Sequence, residues 1–183
     1  FKSLELTAKA SGKEVSEVLN DQARMVVGLS AEYDISFKQM GTNLDEMLKD
    51  TKIFGRAGSA EFTATAAYAA KLGIAISDLQ GLTSKTDDFE GAAMAAAELG
   101  AQFGMTIDTM ELMTAGPAEK AEMVRQAFLE TGQSFEDMSR QEKARMAELT
   151  NMSEDALAGM MDPANADLGF DDMQDAAQAA ADG

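Results

Sequence analysis

Residues 71–113, KLGIAISDLQGLTSKTDDFEGAAMAAAELGAQFGMTIDTMELM, decide the fold class of this chain. Short apolar segments alternate here with single glycines, which end helices, and with Ser, Thr or Asp, which begin them. The segments LGI at 72–74 and FGM at 103–105 each place a glycine directly before an apolar residue. We expect that apolar residue to fill a corner while the next helix starts at an angle. Because no segment sustains the alternation of a strand, the stretch predicts short helices joined by tight turns.

The same punctuation extends over the rest of the chain, which predicts an all-α protein. Pro117 occupies a position suited to the start of a helix, and Gly132 suits the left-handed residue at the end of one. The helical spacing predicts that Leu72, Leu79, Phe89, Leu99, Val124 and Phe128 are mostly buried. Capping boxes, a hydroxyl or acidic residue followed three positions later by Glu or Gln, are expected to begin at Ser11, Ser36, Ser77, Asp87 and Ser139.

Three parts follow from these patterns. Residues 1–56 form a more elongated amphipathic helical segment, residues 57–161 form a compact multi-helix region, and residues 162–183 form an acidic, Ala-rich tail or linker to a following segment. The two ends of the chain give it the look of an excerpt from a longer polypeptide.

An apolar stripe in the first part is the candidate self-association face. Its spacing of three and four places the side chains on one face of a helix, which suits a parallel bundle of like helices. Burial of the stripe by other helices of the same chain is the alternative, and the sequence does not decide between the two. The stripe consists of Val15, Val18, Leu19, Met25, Val26 and Leu29.

Composition removes most catalytic chemistry. The chain has no Cys and no His, which excludes disulfides, Ser-His-Asp and Cys-His triads, and thiolate or HExxH zinc sites. Acidic pairs at 87–88, 136–137, 154–155 and 171–172 precede or open helices, where exposed amides favour negative charge. A calcium loop beginning at Asn165 would have Phe170 where glycine is needed. We therefore expect no enzyme, and no catalytic, cofactor-binding or metal-binding residues.

Negative charge is concentrated after residue 60. The net charge is −17; residues 1–60 carry 8 basic and 9 acidic side chains, and the remainder carries 7 and 23. Nucleic acids and anionic membranes are bound through Lys and Arg, so the chain is expected to bind neither. No apolar run is long enough for a stable membrane span.

The chain contains 14 Met residues. Methionine fills irregular gaps in a core, and it also lets a surface repack against different neighbours. Core filling and repacking surfaces both remain open at this point.

Several motifs in the middle of the chain resemble the helical region of tape measure proteins from tailed bacteriophages. The resemblance lies in LGI at 72–74, SDLQGL at 77–82, DFEGA at 88–92 and DTMELM at 108–113, and a looser similarity continues to NMS at 151–153. It covers roughly residues 60–161 and contains no catalytic signature.

The resemblance implies a virion structural protein that is assembled in the host cytoplasm and occupies the lumen of the tail tube. Such proteins set tail length, contact the baseplate hub and leave during genome ejection. They form homo-oligomers, often taken as trimers. Two alternatives stay open: a cytosolic helical adaptor or assembly chaperone with Met-rich apolar faces, and an acidic lytic domain.

Overall fold

The structure is a computed structural model, and it describes residues 8, 9 and 12–183. Over these residues the chain is all-α: from Val15 onward it forms eleven α-helices and one short 3₁₀ turn, with no strand. The capping box expected at Ser11 lies outside the described residues. The chain divides into two compact units, one of residues up to Lys71 together with Gly169–Gly183, the other of Leu72–Leu168.

The first unit combines both ends of the chain. This division differs from the predicted one, because residues 57–71 belong with the N-terminal helices and residues 169–183 form a packed helix. The helices are α1 (Val15–Tyr33), α2 (Phe37–Leu48), α3 (Thr51–Phe54), α4 (Ser59–Leu72, whose last residue belongs to the second unit) and α11 (Phe170–Asp182).

Helices α1 and α11 pack together along their lengths in antiparallel order. Lys13, just before α1, interacts electrostatically with Asp182 at the end of α11. Tyr33, at the end of α1, interacts with Asp172 at the beginning of α11. At the crossing point the backbone of Gly28 is so close to α11 that an added Cβ would lie 2.7 Å from the Cβ of Ala180. Small residues therefore set the distance between these two helices.

Polar and aromatic contacts join the remaining helices of this unit. Asn43 on α2 donates from Nδ2 to the carbonyl of Ala66 on α4 at 2.9 Å, and Asn43 is buried. The rings of Tyr68 and Phe170 meet edge to face, with centroids 5.5 Å apart, which joins α4 to α11. A buried amide that is satisfied by a backbone carbonyl fixes the orientation of α2 more narrowly than apolar packing does.

The second unit is formed by short helices that turn at nearly every connection. Its apolar core includes Leu79, Leu99 and Phe128. The helices are α5 (Ile76–Thr86), α6 (Phe89–Phe103), α7 (Thr109–Thr114), α8 (Pro117–Glu130), α9 (Arg140–Thr150) and α10 (Glu154–Met160), followed by the 3₁₀ turn Pro163–Asn165.

Two helix starts agree with the sequence. Ser36 accepts from the amide of Gln39, and Ser139 forms the predicted reciprocal box with Glu142. Two predicted starts were wrong. Helix α5 is capped at Ala75, two residues before Ser77, and α6 at Asp88, one residue after Asp87.

Five of the six residues predicted to be buried are buried, and Phe89 was wrong. Its side chain is 60 % exposed. The reason is its position directly after the cap Asp88, at the edge of the helical stripe that begins with Ala92 and continues through Ala95 and Leu99. The first residue of a helix can fit the apolar spacing of the sequence and still point away from the core.

Two glycines in the first unit provide a matched test of the α1–α11 contact. Gly28→Ala should lower the free energy of unfolding by about 1–3 kcal/mol, because the new methyl overpacks against Ala180. Gly41→Ala should raise it by about 0.5–1 kcal/mol, because Gly41 lies inside α2 with open space around it. Urea unfolding followed by far-ultraviolet circular dichroism measures both. Equal effects would contradict close α1–α11 packing.

Candidate functional site

Three of the four left-handed residues in the second unit form corners at which an apolar residue follows; the fourth, Gly132, follows the end of α8 and has the left-handed conformation that the sequence predicted. The φ angles are 72° at Gly73, 70° at Gly104 and 56° at Asn151. Glycine adopts this conformation without strain, and asparagine tolerates it better than most residues. The apolar residue that follows each one is buried, as the sequence predicted for Ile74 and Met105; these residues are Ile74, Met105 and Met152.

Two of these corners pack against each other in a reciprocal manner. Each has a glycine eight residues after its left-handed residue: Gly81 follows Gly73, and Gly159 follows Asn151. A Cβ added to Gly81 would clash with the carbonyl of Asn151, and one added to Gly159 would clash with the carbonyl of Leu72. The glycine of each corner therefore contacts the turn of the other. We call this arrangement the corner pair, comprising residues 72–82 and 149–160.

Hydrogen bonds close the corner pair. Asn151 donates from Nδ2 to the carbonyl of Gly81 at 3.0 Å. The buried carboxylate of Asp78 accepts from the amide of Ala75 at 3.0 Å and from the amide of Ser153 at 2.7 Å. One side chain thus caps its own helix α5 and also fixes the residue that caps α10. The motif segments 72–74, 77–82 and 151–153 come together here, and none was expected to contact another.

Lys120 is a buried ammonium that holds two helix ends. Its side chain is 1 % exposed, and Nζ donates to the carbonyls of Thr86 at 3.1 Å, Leu112 at 2.5 Å and Met113 at 3.2 Å. These are final carbonyls of α5 and α7, where helices carry partial negative charge. Burial lowers the pKa of Lys120, and Asp87 opposes that shift. Sequence reasoning missed this residue, because a single Lys in an amphipathic helix usually faces solvent.

Arg125 anchors the segment that follows α10. Its guanidinium is fully buried and donates to the carbonyls of Asn165, at 2.9 Å, and of Leu168. It also forms a two-point ion pair with Glu122, at 3.0 and 2.7 Å. Asn165 in turn donates to the carbonyl of Gly159 at 3.1 Å. Residues 162–168 are therefore held against the second unit through their backbone, whereas the sequence suggested a tail or linker.

The other cations of the second unit are largely engaged within it. Lys85 donates to the carbonyl of Glu148 at 2.6 Å, and Arg145 forms an ion pair with Glu98 at 2.5 Å. The ammonium of Lys143 lies 5.5 Å from the ring centroid of Phe135. Most carboxylates of this unit, by contrast, are exposed. The fraction of charged groups that are acidic is therefore higher on the surface of the unit than in its overall composition.

The structure places the six residues of the candidate self-association face in three different environments. Val18, Met25 and Leu29 are buried, Val15 and Val26 are half-buried, and Leu19 is exposed. Helix α11 packs on α1, so part of the stripe is covered within the chain. The exposed side of α1 carries a narrower apolar ridge at four-residue spacing, made of Leu19, Ala23, Val27 and Ala31.

A cleft of about 320 Å³ lies in the first unit. Its polar lining includes Gln174, Gln178 and the ion pair of Lys13 with Asp21, whose Nζ and Oδ2 are 2.6 Å apart. Lys13 and Asp21 satisfy each other's charge, and Glu61 also lines the cleft.

No group of three or more His, Cys, Asp or Glu side chains is arranged to hold a metal ion within the described part of the chain. No described helix has both the length and the apolar character needed to cross a bilayer. Comparison with protein-family models, with curated proteins and with solved structures finds no match.

The corner pair can be tested at Asn151, where conformation and hydrogen bonding are separable. Asn151→Gly keeps the left-handed backbone and loses the bond to Gly81, so it should lower the free energy of unfolding by about 0.5–1.5 kcal/mol. Asn151→Ala adds a strained backbone, which costs about 1–2 kcal/mol more. Urea unfolding compares the two variants. Identical values would show that the left-handed turn does not matter to stability.

Lys120 should make stability depend on pH in a defined window. Because its folded pKa lies below the ordinary 10.5, the unfolded chain binds more protons between the two values. The contribution of Lys120 to stability should therefore rise as pH increases through that window. Lys120→Met removes this dependence and, at neutral pH, should cost about 1–3 kcal/mol, because buried carbonyls lose their donor.

The matched control is Lys143→Met, which removes a half-buried cation from the same unit and should cost about 0.5–1 kcal/mol. The difference between wild type and Lys120→Met, measured by urea unfolding at several pH values, cancels the titration of the other groups. A difference that stays constant up to pH 10.5 would contradict a lowered pKa.

Proposed function

We propose that this chain is a non-catalytic, structural segment of a tailed-bacteriophage tape measure protein. In this role it occupies the lumen of the tail tube, sets tail length during assembly, contacts the baseplate hub and leaves during genome ejection. The observation that carries the proposal is the corner pair. The segments that resemble tape measure proteins, LGI at 72–74, SDLQGL at 77–82 and NMS at 151–153, are those whose backbones interlock there.

This overlap between the motifs and the corner pair supports the resemblance, because the residues that the motifs share have a structural role. Gly81 is needed where another backbone approaches, and Asp78 is needed to cap α5 and to accept from Ser153. A resemblance built only on Ala-rich helical composition would have no reason to select these positions. The likeness therefore concerns a way of joining helices, which suits a structural protein.

The charge distribution also favours this role. A protein that shares a narrow channel with DNA must not retain it, and affinity for DNA comes mainly from Lys and Arg that neutralise phosphates. In the second unit Lys120 and Arg125 are buried, and Arg145 is paired with Glu98. Few cations are left to meet a phosphate backbone.

Homo-oligomerisation belongs to the same proposal. Copies of a chain with a net charge of −17 repel each other, yet residues 1–60 are nearly neutral. Helix α1 lies in this part and carries the exposed ridge that includes Leu19 and Val27. We therefore assign association of copies, in trimers by resemblance, to the N-terminal helices.

A cytosolic adaptor or assembly chaperone is the second candidate. Its supporting observation is the exposure of three large apolar side chains in the second unit, Phe89, Met94 and Met110. Exposed apolar side chains that lie together mark surfaces that hold partners. An adaptor would bind tail proteins during assembly and would be absent from the finished particle.

Mass spectrometry of purified tailed particles distinguishes the two candidates. In the virus that encodes this chain, a tape measure segment should be present in full particles at a fixed ratio to the tube protein. It should be depleted from particles that have ejected their DNA. The tube protein is the internal control, because it stays in both. Recovery of the chain only from the host cytoplasm, with none in particles, would reject the tape measure proposal in favour of the adaptor.

Filter binding of the purified chain to double-stranded DNA provides an independent measurement. At physiological salt no retention is expected, for the electrostatic reason given above. Retention that weakens as salt increases would reveal a basic surface, and the chain could not then be a passive occupant of the DNA channel.

A further inference from the structure

Five apolar residues of the second unit form a surface that the fold leaves partly uncovered. Phe89 and Met110 are 60 % and 54 % exposed, whereas Ile107, Met113 and Met123 are half-buried. We call these residues the Met-Phe patch. The three half-buried members pack against one core cluster, formed by Ala92, Ala95 and Leu112.

Helix geometry and Lys120 place the two exposed members at this cluster. Met110 is three residues before Met113 on α7, so both side chains lie on neighbouring positions of one helix face. Lys120 Nζ donates to the carbonyls of Thr86 and Met113, so the end of α7 lies beside the end of α5. Phe89 follows Thr86 by three residues and opens α6 at that same end.

Carboxylates lie beside members of the patch in the sequence. Asp88 and Glu90 flank Phe89 at the start of α6, Asp108 and Glu111 flank Met110 on α7, and Glu119 precedes Met123 by one helical turn. The nearby cations are engaged elsewhere. The ammonium of Lys120 is buried against carbonyls, and that of Lys85 donates to the carbonyl of Glu148 on α9.

We propose that the Met-Phe patch binds a basic amphipathic helix of a partner protein. Methionine side chains adapt their shape to an apolar helix face, and an aromatic residue provides an anchor. The acidic rim complements Lys and Arg on the polar face of such a helix and raises its rate of association. A helix laid into an apolar surface is a common mode of peptide recognition.

Charge disfavours the other occupants. An anionic membrane would be repelled by the acidic rim, and so would the part of a second copy after residue 60, which carries 23 acidic against 7 basic side chains. Core filling explains the buried methionines, among them Met146 and Met160, but it does not explain the exposure of Met110 and Phe89. This inference does not depend on the tape measure proposal, since it concerns a different surface from the corner pair.

The test uses the full chain and a fluorescent model peptide of Leu and Lys, ordered so that all Leu lie on one face of a helix. Fluorescence anisotropy at physiological salt should show saturable binding. The double variant Phe89→Ser, Met110→Ser should weaken binding about tenfold or more, because truncating central apolar anchors removes most of the binding energy. Glu90→Gln with Glu111→Gln should weaken it several-fold and reduce its salt dependence.

Matched controls separate the patch from general acidity and general apolarity. Met94→Ser removes an equally exposed Met from α6 on a different side, since five residues advance a helix about 140° beyond a full turn. Glu136→Gln with Asp137→Asn removes two exposed carboxylates from the turn between α8 and α9. Both controls should bind as the wild type does. A peptide of the same composition in scrambled order should bind at least tenfold more weakly, about 1.4 kcal/mol.

Four results would overturn the proposal. They are equal binding of the scrambled peptide, unchanged binding by the patch variant, equal losses in the patch variant and Met94→Ser, or a dimer of the chain that the patch substitutions dissociate. If circular dichroism shows that the serine variant has lost helix, the Glu90 and Glu111 variant decides, because it changes charge and leaves apolar packing intact.

Discussion

The close approach of two backbones at Gly81 and Gly159 is the constraint on which the second unit depends. Each glycine lies against the turn of the opposite corner, where a methyl group would meet a carbonyl oxygen. A turn can be contacted in this way only if its own backbone is fixed, which the left-handed residues Gly73 and Asn151 achieve. The carboxylate of Asp78 then connects the two helix starts by accepting from both. The angles between these helices thus follow from backbone contacts, with apolar side chains filling the space that remains.

The surface charge of the second unit is a consequence of its internal hydrogen bonding. Short helices leave many terminal carbonyls, and burying them requires donors. Lys120 supplies donors for the ends of α5 and α7, and Arg125 supplies them for the segment before α11. Each cation used in this way is withdrawn from the surface, while the carboxylates that begin the helices stay in solvent. The fold therefore increases the acidity of the surface, which connects helix termination to the proposed exclusion of DNA and to the proposed role of the Met-Phe patch.

The sequence predicted those features that are encoded over a few residues. Glycine followed by an apolar residue predicted the corners at Gly73 and Gly104, and Ser139 predicted its own cap. The start of α5 was misplaced because Asp78, rather than Ser77, supplies the cap and has a second partner in a distant corner. Lys120 was missed for the same reason: its carbonyl partners come from two other helices, and a composition with few cations gives no sign of which ones are buried.

The stripe on α1 shows what helical periodicity in a sequence does not predict. Spacing of three and four establishes that one face of a helix is buried, but it does not identify the element that covers it. Helix α11 begins more than 130 residues after α1 ends and packs on it; Val18, Met25 and Leu29 of α1 are buried, and Ala180 of α11 fits the gap that Gly28 leaves. A long separation in sequence carries no local signal, so residues 162–183 looked like a tail. With α11 in place, the proposed association of copies through α1 would use the ridge that includes Leu19 and Val27. The side chains of that ridge are few and are spaced by four residues. This spacing favours packing of ridges into grooves, in which the helices approach closely, over the heptad packing of a coiled coil.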